Sequence, residues 1–324
     1  MDYAMVMPQP GGPELFERRE ITVPDPAEGE VRVRHTAVGL NYLDVYHRSG
    51  SYPWPVERDL VAGSEAAGVV EAVGAGVRDL KAGDRVAYTH PMNAYCSARV
   101  LPAHRLVKLP EGIADDIAAT LMLKGLTAHY LIHSTYRVEA GTDVLVHAAA
   151  GGVGLLMGQW LAAKGARAIG TAGGPDKVAL ARSHGYAEVI DYRAGDFVAP
   201  VRAATGGAGV HVVYDGVGAD TWRGSLDSLR IRGTFVCFGA ASGKVEGFGL
   251  PDLNKGSFFA TRPTLFHHIA DPDELRSRAA DLFAMVQSGK LRSAVSQTFP
   301  LASVGKAHAA LEGRRTTGAT VLIP

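Results

Sequence analysis

Residues 144–154 read Val144-Leu145-Val146-His147-Ala148-Ala149-Ala150-Gly151-Gly152-Val153-Gly154, and no other segment restricts the fold as much. A short apolar run gives way to a glycine-rich turn, and residues 155–164 continue as a helix. Apolar residues at Val153, Leu156, Met157, Trp160 and Leu161 form the stripe of a helix lying on a sheet. Strand, turn and helix in this order turn the backbone N–H groups of Gly151, Gly152 and Val153 toward an anion at a helix start, the arrangement that holds a dinucleotide pyrophosphate. On the G-x-G-x-x-G template the three positions are Ala149, Gly151 and Gly154. The first glycine is therefore alanine, and the flanking strand and helix carry the reading.

The next strand predicts which dinucleotide. Residues 166–172 are apolar, and an NAD site would end such a strand in Asp or Glu to hold the ribose 2′-hydroxyl. Here Ala172 is followed by Gly173-Gly174-Pro175-Asp176-Lys177. An uncharged opening at Gly173 and Gly174 with Lys177 nearby suits a 2′-phosphate, so NADPH is expected over NADH. The alternative for Lys177 is a solvated residue in the first turn of a helix. Further strands are predicted at 188–192, 210–215 and 233–239, with helices over 175–184, 197–205 and 221–229. This alternation predicts an α/β fold with a doubly wound parallel sheet. The carboxyl ends of its strands would set Gly173, Tyr192, Gly216 and Phe238-Gly239-Ala240-Ala241 along one rim.

The chain has 324 residues, enough for two domains. Residues 1–124 are rich in short strands (31–38, 66–73, 84–88, 105–109) and turns. A dinucleotide-binding domain is expected over 125–265. Residues 266–324 hold helical patterns at 273–288 and 304–311 and an apolar strand at 319–323, expected to return to the first domain. Lys and Arg total 33 and Asp and Glu total 33, so no global field favours nucleic acid or an anionic membrane. Cys96 and Cys237 are too few for a disulfide framework or a cysteine-rich metal site. No apolar run approaches the ~20 residues of a membrane helix, and the opening residues do not read as a signal peptide, so a cytoplasmic protein is expected.

Five segments together carry a family resemblance: Asn41-Tyr42-Leu43-Asp44, Gly63-Ser64-Glu65-Ala66-Ala67-Gly68, Ala82-Gly83-Asp84-Arg85-Val86, Lys124-Gly125-Leu126-Thr127-Ala128 and 148–154. With Thr261-Arg262-Pro263 and the final 317–324 stretch, the chain resembles the zinc-free medium-chain dehydrogenase/reductases, in particular the NADPH:quinone oxidoreductase (zeta-crystallin-like) branch. The resemblance implies a GroES-like catalytic domain, a Rossmann domain, a cleft between them, and a homodimer joined through a Rossmann edge strand near 257–261.

It also implies roles. The segment from Asn41 to Tyr52 would form a loop against the nicotinamide. Asn41 and Asp44 would bond the cofactor or order the loop, and Tyr46 and Tyr52 would flank a flat acceptor and offer a phenolic proton. Thr127 would contact the carboxamide, and Tyr130, one helical turn later, matches a cofactor-contacting tyrosine. Arg314, with Gly173, Lys177 and Tyr192, would surround the 2′-phosphate, with Arg315 as the alternative. Arg262 and Pro263 would border the nicotinamide. His133, His147 and His211 read as structural.

Zinc-dependent relatives carry Cys where this chain has Asn41 and His where it has Ser64, and four further cysteines where residues 89–104 have only Cys96. His47, Glu65 and Asp44 make a poor substitute ligand set, so no metal is expected. A quinone suits such a site, because its reduced form is phenolate-like, titrates near ~10 and is far easier to form than an alkoxide. The alternative acceptor is an activated C=C bond, an enone or enoyl thioester, with Tyr52 as proton donor. A crystallin-like or RNA-binding role is the non-enzyme alternative, and the absence of a basic, aromatic-lined stripe speaks against RNA.

Overall fold

Six segments beyond residue 140 lie side by side and all run parallel. Their order across the sheet is Glu188–Asp191, Arg167–Ala172, Asp143–Val146, Val210–Asp215, Leu229–Cys237 and Phe259–Thr261. Parallel neighbours need crossovers, and the helices Gly152–Ala163, Pro175–Arg182, Val198–Ala204 and Trp222–Asp227 provide them. The chain moves outward one way from Asp143–Val146 and then resumes on its other side. That reversal is the switch point at which such sheets bind ligands, beyond the carboxyl ends of the strands. Leu145, Ile169, Val213 and Phe235 from the strands meet Trp222 and Leu226 in the core.

The computed structural model describes residues 1–293 and 295–324. It divides into two units, Met1–Leu126 with Ile269–Gln287 and Ser293–Pro324, and Thr127–His268 with Ser288–Arg292. The parallel sheet belongs to the second. The first holds a seven-stranded sheet. Its order is Val295–Pro300, Ala319–Ile323, Glu30–Leu40, Glu65–Val73, Arg85–Thr89 and Val107–Lys108, and Ala98–Pro102 also pairs with Glu30–Leu40. Ala319–Ile323 runs antiparallel to Glu30–Leu40, with Val321 opposite Gly39 and Leu322 opposite Val38. Val31, Val33, Leu101, Leu301 and Leu322 share its core. A smaller sheet joins Glu17–Glu20, Tyr3–Met7 and Leu60–Val61.

Three features depart from the sequence reading. The segment expected as a loop after Asn41 is a helix, Tyr42–Ser49. Asp44 at its third position accepts the Asn41 backbone N–H at 2.8 Å, and Gly50 closes it with φ 76°. The strand Val295–Pro300 was not anticipated, because its Ser, Gln and Thr mask an alternation of half-buried and exposed positions. The helix Asp115–Tyr130, whose sequence pattern carries on towards His133, gives way at Leu131–Thr135 to a wider π-turn. Among the described residues no helix is long and apolar enough to cross a membrane.

Candidate active-site residues

In the second unit the glycine-rich turn is shaped by close approach. Gly151 caps the helix Gly152–Ala163, and Gly151, Gly152 and Val153 are half-exposed at its start. A Cβ on Gly154 would overlap the Ala148 carbonyl and stand 2.7 Å from that of Ala149, so only glycine lets the helix sit this close to the strand. Tyr186 then donates its hydroxyl to the Gly154 carbonyl at 2.6 Å. Ala149, where the template has its first glycine, is buried and donates its N–H to Thr171 at 2.9 Å. The neighbouring Ala148 takes the left-handed conformation at φ 54°.

Beyond Ala172, Gly173 and Gly174 are buried beneath the side chains of Tyr192 and Arg193. A Cβ on Gly173 would overlap the Tyr192 hydroxyl and stand 3.2 Å from Arg193 Nε, and one on Gly174 would stand 3.2 Å from Arg193 Nη1. Gly174 adopts φ 93°. Asp191 Oδ1 accepts the backbone N–H groups of Gly174 at 2.9 Å and Arg193 at 3.0 Å. Those two bonds hold its carboxyl below the usual range. Lys177 is half-buried in the first turn of Pro175–Arg182, while Asp176 beside it is exposed. Tyr192 and Lys177 thus belong to the same sheet edge as the two glycines. The sequence offers one signal for Arg193, its place directly after the strand predicted over 188–192.

Farther along that edge, Asp215 is fully buried and organises the next turn. It accepts N–H groups of Val217 at 2.8 Å and Gly218 at 3.0 Å, and hydroxyls of Thr221 and Ser225. Ser225 also meets His147 Nε2 at 3.0 Å, and His147 Nδ1 meets Thr171 at 2.9 Å. His147 thereby braces three strand ends, and burial holds its pKa below the ordinary value. Phe238 donates its N–H to Asp215 at 2.9 Å, and Ala241 donates to Gly216 at 3.2 Å, which draws Gly239 and Ala240 into the same turn. Arg262 reaches back to this turn through Cys237 Sγ and the Gly239 carbonyl, each at 3.3 Å, and Pro263 follows half-buried. Thr127 is buried near the start of the unit. Tyr130 is only 2% exposed, its ring stacked on His268 at 4.4 Å and 12°.

In the first unit the helix Tyr42–Ser49 stands on a buried polar network. Asp44 accepts Ser64 Oγ at 2.5 Å and the Tyr95 hydroxyl at 2.9 Å, besides the Asn41 N–H. Tyr95 also meets His308 Nε2 at 3.0 Å. Burial pushes the Asp44 carboxyl up to about 6 and His308 down to about 3. Of the two roles expected for Asp44, ordering its segment is the one this geometry carries. The side chain has no exposed surface, and both its oxygens are engaged by protein donors. Glu65 anchors a second cluster. It accepts Asn41 Nδ2 at 2.9 Å, Lys124 Nζ at 2.6 Å and Leu123 N at 2.7 Å. Above these networks the rings form a ladder, Tyr42 to Tyr46 at 5.9 Å and Tyr46 to Tyr52 at 5.0 Å, with all three half-exposed. Arg314 is exposed in the same unit at φ 56°, and Arg315 donates to Ala309.

This donor set does not fit a catalytic zinc. Asn41 offers an amide and Ser64 a hydroxyl, and both are engaged with the carboxylates that would otherwise be ligands. Cys96 is buried with its thiol pushed up to about 12, so it stays protonated.

A doubly wound sheet with a glycine-rich dinucleotide turn, beside a β-rich unit that the chain leaves and rejoins, defines the medium-chain dehydrogenase/reductase class. Residues 27–143 match the alcohol dehydrogenase GroES-like domain family, and residues 152–283 match the zinc-binding dehydrogenase family. Within that class the chain belongs to the quinone oxidoreductase family. It is 48% identical over 316 residues to the quinone oxidoreductase of Pseudomonas aeruginosa, covering 97% of each. It is 45% identical to a 2-haloacrylate reductase from a Burkholderia species, covering all of this chain and 99% of that one. The crystal structure of Escherichia coli quinone oxidoreductase complexed with NADPH superposes with a TM-score of 0.95 at 43% identity, over 99% of this chain and all of that one.

Proposed function

We propose that this chain is an NADPH-dependent quinone reductase that works without a metal ion. The observation that carries the reading is that the strand ending at Ala172 runs into Gly173 and Gly174, packed against the Tyr192 hydroxyl and followed by Lys177 in the first turn of the next helix, where an NAD site would hold an acid. Relatives named for quinone reduction, one of them crystallised with NADPH, support it. When bound, NADPH supplies a hydride to an electron-poor acceptor. Gly152 and Val153, at the start of the helix Gly152–Ala163, would present N–H groups to its pyrophosphate, whereas the Gly151 N–H, expected to join them, is donated to the Ala148 carbonyl at 2.9 Å. Tyr42, Tyr46 and Tyr52 offer flat faces and phenolic edges to a quinone. Asn41 and Ser64 replace the zinc ligands of other members, and a phenolate-like product titrating near ~10 needs no Lewis acid.

Fluorescence titration should show tighter binding of NADPH than NADH, and quinone turnover should survive a chelator. Equal affinity for the two cofactors, or activity lost to chelation, overturns the reading. A second reading, reduction of an activated C=C bond, is favoured by the relationship to a 2-haloacrylate reductase and by the paired Tyr46 and Tyr52. Tyr52→Phe separates the two. Quinone turnover is expected to change less than about threefold, whereas a proton donor's loss costs about 100-fold or more on an enone or 2-haloacrylate.

The same reading includes a homodimer through the edge strand Phe259–Thr261. All three of its residues are exposed, and Ile231, 75% exposed, adds apolar surface on the neighbouring strand. Ala260→Pro should convert a dimer to a monomer in analytical ultracentrifugation; a wild-type monomer removes the assembly from the reading.

A further inference from the structure

Arg193 has no part in the reading above, yet it lies against the same two glycines. Its Nε and Nη1 each stand 3.2 Å from where a side chain on Gly173 or Gly174 would begin. The absence of side chains on the two glycines lets the Tyr192 hydroxyl and one guanidinium edge come down directly onto the turn. Its placement has a local cause. Asp191 ends the strand Glu188–Asp191, and its Oδ1 ties the Gly174 N–H to the Arg193 N–H. One carboxylate oxygen thus joins the turn after one strand to the turn after its neighbour. An acid at this edge could also hold a ribose diol, but Asp191 is turned onto backbone amides, and the exposed Arg193 two residues on presents its charge beside the two glycines.

We propose that Arg193 is a specificity-determining residue that binds the 2′-phosphate of NADPH beside Lys177, and that Asp191 is the positioning residue that holds it there. The inference rests on the NADPH reading and adds to it a second cation of a different kind. Lysine brings a point charge, whereas a guanidinium brings a planar fork matched to phosphate oxygens. A charge-assisted pair of this type changes affinity by about 10- to 100-fold. The effect falls on NADPH alone, because NADH lacks the group that the fork would bind.

The test is fluorescence titration of the full chain with NADPH and with NADH, and displacement by 2′,5′-ADP and by 5′-AMP. Arg193→Ala should weaken NADPH and 2′,5′-ADP by about 10-fold or more and leave NADH and 5′-AMP within twofold. Arg193→Lys should restore part of the loss. Asp191→Ala should weaken NADPH several-fold and NADH little, whereas a merely structural role would weaken both alike. If wild type prefers NADPH and Arg193→Ala leaves the ratio of the two affinities within twofold, or lowers both equally, the inference is overturned while the NADPH reading stands. If wild type shows no preference, the NADPH reading fails first and the inference with it.

Discussion

The glycine-lined edge of the parallel sheet and the tyrosine ladder on Tyr42–Ser49 are built in opposite ways. At the first, atoms are missing: Gly154, Gly173 and Gly174 make room, and backbone amides and a few cations border the space. At the second, side chains stand on other side chains, and the helix is held by Asp44, Ser64, Tyr95 and His308 through buried hydrogen bonds. A surface made by absence is intolerant of added bulk and nearly indifferent to pH. A surface supported by a buried ionisable network tolerates change at its rings but depends on the charge state beneath them.

The contrast breaks most sharply at Gly154. A Cβ there overlaps the Ala148 carbonyl, so Gly154→Val should cost about 3–5 kcal/mol and show as a large loss of Tm. A fall below about 1 kcal/mol would mean that the turn shifts freely and that the close approach is incidental. Next comes Asp44→Ala, which strands the buried Asn41 N–H and takes one acceptor each from the Ser64 and Tyr95 hydroxyls. It should cost about 2–4 kcal/mol in urea denaturation and leave the NADPH-to-NADH affinity ratio unchanged, because the edge proposed to hold the 2′-phosphate belongs to the other unit.

The smallest effect is the pH response of the polar network and its neighbour His35. Burial holds His35 at about 4 and His308 at about 3, whereas in the unfolded chain both take up protons near 6.5. Their stabilising contribution is complete above about pH 6.5 and is lost as pH falls toward 4, because the unfolded state binds the protons first. Asp44 runs the other way. Its folded carboxyl titrates at about 6 against 3.8, so acidification through this window relieves a penalty. Two histidines against one aspartate leave a net loss on the order of 3 kcal/mol between pH 7 and pH 5. His35→Gln should flatten this fall by about 2 kcal/mol, read as urea midpoints at the two pH values. An unchanged slope would show that His35 is not a source of it.

The same contrast explains what could be read in advance. The parallel sheet announced itself through local signals: apolar runs, a glycine turn and helix stripes within some 20 residues of one another. The missing acid after Ala172 was as legible as a present one. The ladder's support was not, since Tyr95 lies 51 residues from Asp44 and His308 lies 213 from Tyr95. No local periodicity records such a meeting. The helix Tyr42–Ser49 buries little apolar surface, yet the Asn41-to-Asp44 spacing and Gly50 were proper end signals, passed over in favour of a loop. Val295–Pro300 was hidden by polar residues whose strand character comes from pairing with Ala319–Ile323.

That last pairing has a consequence for how the molecule is made. Ala319–Ile323 sits against residues 38–40, and Val295–Pro300 lies beyond it, so two of the seven strands of that sheet are translated after the whole of the parallel sheet. At about 5–20 residues per second, the strand containing Val38 waits roughly a quarter-minute to a minute for its partner. The parallel sheet, drawn from one continuous stretch, can consolidate on the ribosome during that wait. The earlier-born unit is the later to close, and for that interval its Glu30–Leu40 edge is exposed to chaperones and to neighbouring nascent chains.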